Sequence, residues 1–256
     1  MGVSFKRPGD FISFPWGGSR LVWGEKGSKG PTIVPWATGS DEEVAALIDA
    51  AHAGTIDLQQ DAGWKVGDVR TISMAAWTGS NNIAHVAENL RIAITSFEEY
   101  EGCGNLFQFD FIDCPSVGER FTNNSPIIYE YSNMNKRSVS KMANAMPEYL
   151  KTRLRTFSVK SKDLGSGQIR ILNGNKLALR SRMELFGTGP SEGVYVDYYS
   201  DNSTRIKKKG IAGSATVWWI RTNNDTFNSY GIGTDGTLRS TSPNTSTVGI
   251  SPFGCI

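Results

Sequence analysis

The stretch from Trp218 to Ile256 constrains the fold of this chain more than any other, because short apolar runs there alternate with turn-forming and hydrogen-bonding residues. Trp218-Trp219-Ile220-Arg221 reads as a strand, and Thr222 to Tyr230 follows as a polar loop. Asp235-Gly236 reads as a two-residue hairpin turn, since glycine accepts a positive φ without steric cost. After Ser240–Thr247 the chain closes on Val248-Gly249-Ile250-Ser251-Pro252-Phe253-Gly254-Cys255-Ile256. Loops rich in Asn, Ser, Thr and Tyr put adaptable hydrogen-bonding groups beside aromatic platforms, the composition of recognition loops. The plainer reading is that such loops only keep a domain soluble. On the first reading the candidate ligand contacts are Trp219, Arg221, Asn223, Asn224, Asp225, Thr226, Asn228, Tyr230, Arg239 and Asn244. Asp225 and Asp235 read as turn residues rather than metal ligands.

The preceding chain mixes helix and strand signals. Ser40-Asp41-Glu42-Glu43 is a capping box with three acids at the positive end of a helix dipole. Val44, Leu47, Ile48 and Ala51 then form one stripe, and Gly54 is a natural stop. Strands are expected within 64–72, 90–94 and 106–112, and two helical pieces over 136–158, the second entered through Pro147. Residues 169–172, 176–179 and 194–199 read as further strands. Arg205-Ile206-Lys207-Lys208-Lys209-Gly210, the one basic cluster, reads as an exposed, charge-protected loop, with contact to phosphate or an anionic glycan as the other reading. Residues 1–37 alternate Phe11, Phe14, Trp16, Trp23 and Trp36 with glycines. They read as irregular or short-strand structure that packs on the rest of the chain or on a neighbouring subunit, and these five aromatics are the candidate assembly contacts. The expected division is an attachment segment, 1–37, and one domain, 38–256.

Charge and cysteine content narrow the function classes. With 27 Lys+Arg against 25 Asp+Glu the net charge is +2, too balanced to make nucleic acid or an anionic membrane the main partner. No window approaches the apolar length of a membrane span, and the start from Met1 to Pro8 has no apolar signal core, so no signal peptide and no membrane insertion are expected. Cys103, Cys114 and Cys255 are odd in number and not at metal-ligand spacing, which argues against a disulfide framework and fits assembly in a reducing cytoplasm. Cys103–Cys114 is the one pairing considered.

Catalytic patterns are missing. There is no phosphate-cradling Gly-Lys-Ser/Thr loop and no dinucleotide-type glycine spacing. His52 and His85 are the only histidines, too few for a Cys/His zinc set, and no Gly-x-Ser-x-Gly elbow accompanies them. Carboxylates such as Asp110 and Asp113 have no pattern that assigns them acid/base work. The expectation is a non-enzyme without catalytic residues, metal or cofactor.

Several segments, in order, resemble a family of phage and prophage structural proteins. Its W-W-[LI]-R-S strand is similar to Trp218–Thr222, its D/N-G hairpin to Asp235-Gly236, and its G-V-R-P-A-F ending to Gly249–Phe253 and beyond. Its K-L-x-L-x-S-x-x-E-[IL]-x-G stretch is similar to Lys176–Gly187, and its A-L-P-x-x-[LI]-K helix to Ala145–Lys151. Its opening segment matches Ala53–Leu58 and Trp64–Asp68, so the likeness covers roughly 38–256. Two departures are Thr222 where serine is usual and Ser251 in place of an arginine. The resemblance implies an α+β, β-rich C-type-lectin-like fold with two or three helices. It also implies a virion component, tail- or fibre-associated, whose C-terminal loops bind a host-surface receptor, glycan or protein. The rival expectation is an architectural subunit (capsid decoration, head fibre or baseplate) that contacts only other virion proteins, and a cell-wall hydrolase is the weakest. A homo-oligomer is expected in either leading case, because display in several copies strengthens weak sites.

Overall fold

The computed structural model describes residues 33–122, 128–225 and 227–256. The candidate assembly residues Phe11, Phe14, Trp16 and Trp23, and the candidate ligand contact Thr226, lie outside the described residues. The fold is mixed α+β and rich in strands. The central antiparallel sheet has the order β1 (Val69–Met74), β4 (Glu88–Ser96), β5 (Gln108–Phe111), β15 (Pro252–Cys255) and β9 (Leu177–Leu179). The last strand of the chain is therefore placed inside the sheet, between β5 and the edge strand β9, with Phe253 opposite Asp110 on one side and Ala178 on the other. Non-local pairing of this kind is invisible to local propensity, and it closes the domain.

Smaller sheets surround that centre. β12 (Trp218–Asn223), β13 (Ser229–Ile232) and β14 (Leu238–Thr241) form an antiparallel sheet. β11 (Ala215–Thr216) and β10 (Lys207–Lys209) join β6 (Asp113–Cys114), with β10 and β6 parallel. β2 (Trp77–Thr78) pairs with β3 (Ala84–His85), and β7 (Phe157–Lys162) with β8 (Ile169–Asn175).

The helix α1 (Asp41–His52) forms as its pattern dictates. Glu43 N donates to Ser40 Oγ at 3.2 Å, Ser40 N donates back to Glu43 Oε2 at 2.8 Å, and Val44, Ala45, Ile48 and Ala51 are buried. A π-helical turn at Met134–Val139 runs into α2 (Ser140–Asn144), and Pro147 precedes α3 (Glu148–Lys151). The helical reading to residue 158 ends too late: Phe157 opens β7, whose alternating burial is the period of a half-covered strand. Residues 194–199 form no strand, since Asp197–Tyr199 is a 3₁₀ turn in which Tyr199 N bonds back to Val196 O. Two further short helices are α4 (Arg182–Phe186) and α5 (Asn202–Arg205). Among the described residues no helix is long and apolar enough to cross a membrane.

Trp36 is buried in the core, its ring 5.0 Å from Trp64 and 5.5 Å from Phe107, so its indole is not free for an assembly partner. Val34 is buried in the same cluster, and its carbonyl accepts from Trp64 Nε1 at 2.8 Å. The packed body therefore begins before residue 38. Arg70 secures this edge with Nη1 donating to Trp36 O and Gly39 O and Nη2 to Asp41.

Candidate recognition surface

The β12–β13–β14 sheet has a sealed side and an open one. Every residue of β12 is buried. Trp218 Nε1 donates to Arg205 O at 2.8 Å and Trp219 Nε1 to Glu119 O at 2.7 Å, so each indole takes an internal partner. Arg221 Nη1 and Nη2 donate to Glu184 Oε2 and Oε1 at 2.7 and 2.8 Å, both side chains being fully buried. Glu184 is the third position of the α4 capping box with Ser181, which places it opposite Arg221. Trp219, Arg221 and Asn223 are thus structural and cannot touch a ligand as expected: their polar atoms are occupied inside the protein, with Asn223 Oδ1 accepting from Ser229 Oγ.

Asn224, Asp225, Phe227 and Asn228 reach the surface. Asp225 Oδ1 accepts from Phe227 N at 2.7 Å and from Asn228 N at 2.8 Å, and these bonds hold its carboxyl below the ordinary carboxylate range. Asp225 therefore builds the turn. Asn224 Nδ2 bridges to Ser240 Oγ at 3.0 Å. Phe227, which the sequence reading passed over, is 72% exposed at this turn. Asn244 is exposed as well.

Tyr230 and Arg239 are on opposite faces of the sheet. Tyr230 pairs with Ser240, and Gly231 with Arg239. Paired residues share a face and successive residues alternate, so the two side chains do not converge. Tyr230 lies against the smaller apolar cluster under the Arg182 guanidinium, 5.8 Å from its ring. Arg239 lines a groove of about 730 Å³ together with Lys209, Thr216, Thr234, Thr241, Thr245 and Thr247. Serine and threonine hydroxyls and two cationic side chains line this groove beside the apolar Ala215, Val217 and Val248. The Arg239–Asp235 pair at 3.2 Å is half-exposed at both ends, so the guanidinium is weakly held.

The connection below Arg239 is longer than the two-residue hairpin the Asp-Gly pair suggests. Residues 233–237 link the strands, Gly236 N donates to Gly233 O at 3.0 Å, and Gly236 adopts φ 79°. A Cβ there would collide with the Asn202 backbone, so both conformation and space require glycine.

The basic cluster divides between interior and surface. Arg205 is buried, its guanidinium donating to carbonyls of Leu185, Tyr199 and Gly236, while Lys208 is exposed. Lys207 is fully buried, its Nζ 5.4 Å from the Tyr199 and Trp218 ring centres and without a hydrogen-bond partner among the described residues. Burial pushes its ammonium down to about 8. An exposed basic loop is therefore the wrong description for 205–207, because these side chains fill the space behind β12.

Two further arrangements bear on chemistry. Ser80 Oγ donates to Glu119 Oε2 at 2.5 Å, and His85 Nε2 faces Glu119 Oε1 at 3.0 Å, with His85 stacked on Trp77. The carboxylate sits between hydroxyl and imidazole, so the imidazole is not placed to take the serine proton as a hydrolase triad requires. All three groups are buried, and the set acts as a clasp across the chain. A cavity of about 470 Å³ is lined in part by Phe97, Glu98, Tyr195, Asp197 and Tyr198. Sequence reading gave it no role, having taken Tyr195–Tyr199 as strand; the tyrosine run was the only available signal. Among the described residues no group of His, Cys, Asp or Glu is arranged to hold a metal ion. Comparison with protein-family models, with curated proteins and with solved structures found no match for the chain.

Proposed function

We propose that this protein is a non-enzymatic virion component whose C-terminal sheet binds a host-surface glycan in the groove beside Arg239. The observation that carries this reading is the two-sided sheet: its inner strand is wholly consumed by packing, while its outer strand lines a hydroxyl-rich groove with Lys209 and Arg239. Threonine and serine hydroxyls match the donors and acceptors of a sugar, and the cations suit an acidic one. A C-type-lectin-like fold is part of the proposal. It is supported by the way Ser181, Glu184 and Arg221, from separate motifs of the resemblance, meet in one buried network. Ser251, in place of the family's arginine, donates to Phe111 O at 2.5 Å and so anchors the closing strand.

The test is binding of fluorescently labelled full-length protein to bacterial cells and to immobilised neutral and acidic glycans. Binding to acidic glycans that weakens at least tenfold in Arg239→Ala and Lys209→Ala is the expected result. Binding unaffected by either change sinks the groove assignment.

An architectural role has its own supporting observation. On the β7–β8 hairpin Ile171 is 63% exposed, and Ile169, two residues away on the same strand, is also exposed. Exposed apolar side chains grouped on a hairpin suit contact with another virion protein or another copy. A regular lattice of the protein on particles, without any cell or glycan binding, favours that role.

A further inference from the structure

We infer that Cys103 and Cys255 are a dithiol pair that closes to an intramolecular disulfide and staples the C-terminal strand to the turn before β5. The backbone brings them together. Leu106 N donates to Ile256 O at 2.5 Å, Ile256 N donates to Phe107 O at 3.1 Å, and Cys255 pairs in register with Gln108. The turn carrying Cys103 is pinned by Asn105, whose Oδ1 accepts from Tyr100 N at 2.7 Å and whose Nδ2 donates to Glu98 O at 3.2 Å. Cys103 packs on the core cluster that contains Cys255; its Sγ donates to Asn105 Oδ1 at 2.9 Å, and the Cys255 side chain is the neighbour that most affects its thiol. Cys114, the partner considered from sequence, instead lies buried in the other apolar cluster, where a Cβ on Gly249 would meet its sulfur.

The two thiols are unequal in a way that suits stepwise exchange. Cys103 is half-buried, and the Cys255 side chain brings its thiol down to about 7 against the opposing effect of burial. Cys255 is buried, and burial holds it as the thiol. The oxidant class is a small-molecule disulfide. The Cys103 thiolate attacks one of its sulfurs, forming a mixed disulfide and releasing one small thiolate. That thiolate takes up the proton leaving Cys255. The Cys255 sulfur then attacks the Cys103 sulfur, the mixed disulfide breaks, and a second small thiolate departs. In sum, two protein thiols are oxidised and one disulfide is reduced to two thiols. Passage from a reducing cytoplasm to the outside would supply the occasion if the virion reading holds; bond formation itself does not depend on that reading.

Reduced full-length protein is equilibrated with reduced and oxidised glutathione, quenched in acid, alkylated after unfolding and mapped by mass spectrometry. The expected product joins the Cys103 and Cys255 peptides, leaves Cys114 alkylated, and melts at a higher temperature than the reduced form. Cys255→Ala should accumulate the glutathione adduct on Cys103, and Cys103→Ser should form neither adduct nor cross-link. The wild-type measurement stands even if a variant fails to fold. The inference is overturned if wild-type protein stops at the Cys103 adduct, links Cys103 to Cys114, or stays fully alkylatable under strongly oxidising glutathione.

Discussion

Arg221 and Glu184 form a bidentate ion pair at 2.7 and 2.8 Å in the fully buried space between β12 and α4. The pair joins two segments far apart in the chain, and the carbonyls of Leu179 and Glu192 take further guanidinium protons. A buried charge so surrounded is costly to orphan, because water cannot replace the missing partner. Glu184→Gln and Arg221→Met should therefore each destabilise the fold by about 3–5 kcal/mol. Urea unfolding checks this, and a loss below about 1 kcal/mol would mean that solvent reaches the pair.

Lys207 makes stability depend on alkaline pH. Its ordinary value is 10.5, and burial lowers it to about 8 in the folded protein, near Asp110, Cys114, Arg180 and Asp113. Between those values the unfolded chain binds more protons than the folded one, so unfolding becomes less favourable as pH rises. Relative to Lys207→Met, wild-type stability should climb by a few kcal/mol from pH 8 to 10.5, and the variant should be the more stable at pH 7. Parallel stability curves for the two proteins would refute a buried, depressed ammonium.

Trp36 separates core from docking roles. Trp36→Ala removes a buried ring from the Trp36–Trp64–Phe107 cluster, and a loss of about 3–5 kcal/mol is expected. Calorimetry on the isolated protein measures it. A surface contact would instead leave the melting temperature unchanged.

Phe227 and Arg239 should behave in the opposite way. Phe227 is 72% exposed, and Arg239 holds only a half-exposed pair with Asp235. Phe227→Ser and Arg239→Ala should each shift stability by no more than about 0.5 kcal/mol. A large loss in thermal unfolding would show that these side chains are part of the packing.

Gly79 is a steric test of the Ser80–Glu119–His85 clasp. A Cβ on residue 79 would overlap the Glu119 carboxylate, which is buried and held by Ser80 and His85. Gly79→Ala should destabilise by about 1–3 kcal/mol, read by chemical denaturation. Wild-type stability in the variant would show that the carboxylate is free to swing away.

Local rules made α1, the Trp218 strand and the turn residues legible, because capping, alternation and turn chemistry act over a few residues. They misjudged 194–199 and the end of the second helical piece, where contacts from β4 and β8 outweigh propensity. The candidate ligand set divided for the same reason. The pattern placed Trp219, Arg221, Tyr230 and Arg239 on or beside strands, but a strand has two faces, and sequence alone does not say which one another segment covers. Pairing of β15 between β5 and β9, the Glu184 carboxylate beneath Arg221 and the approach of Cys255 to Cys103 all join residues distant in the chain. By itself the sequence determined a strand-rich α+β chain with capped helices and polar C-terminal loops. The tertiary structure alone decided which of those loop and strand residues are structural and which remain open to a partner, because burial depends on what the rest of the chain brings against them.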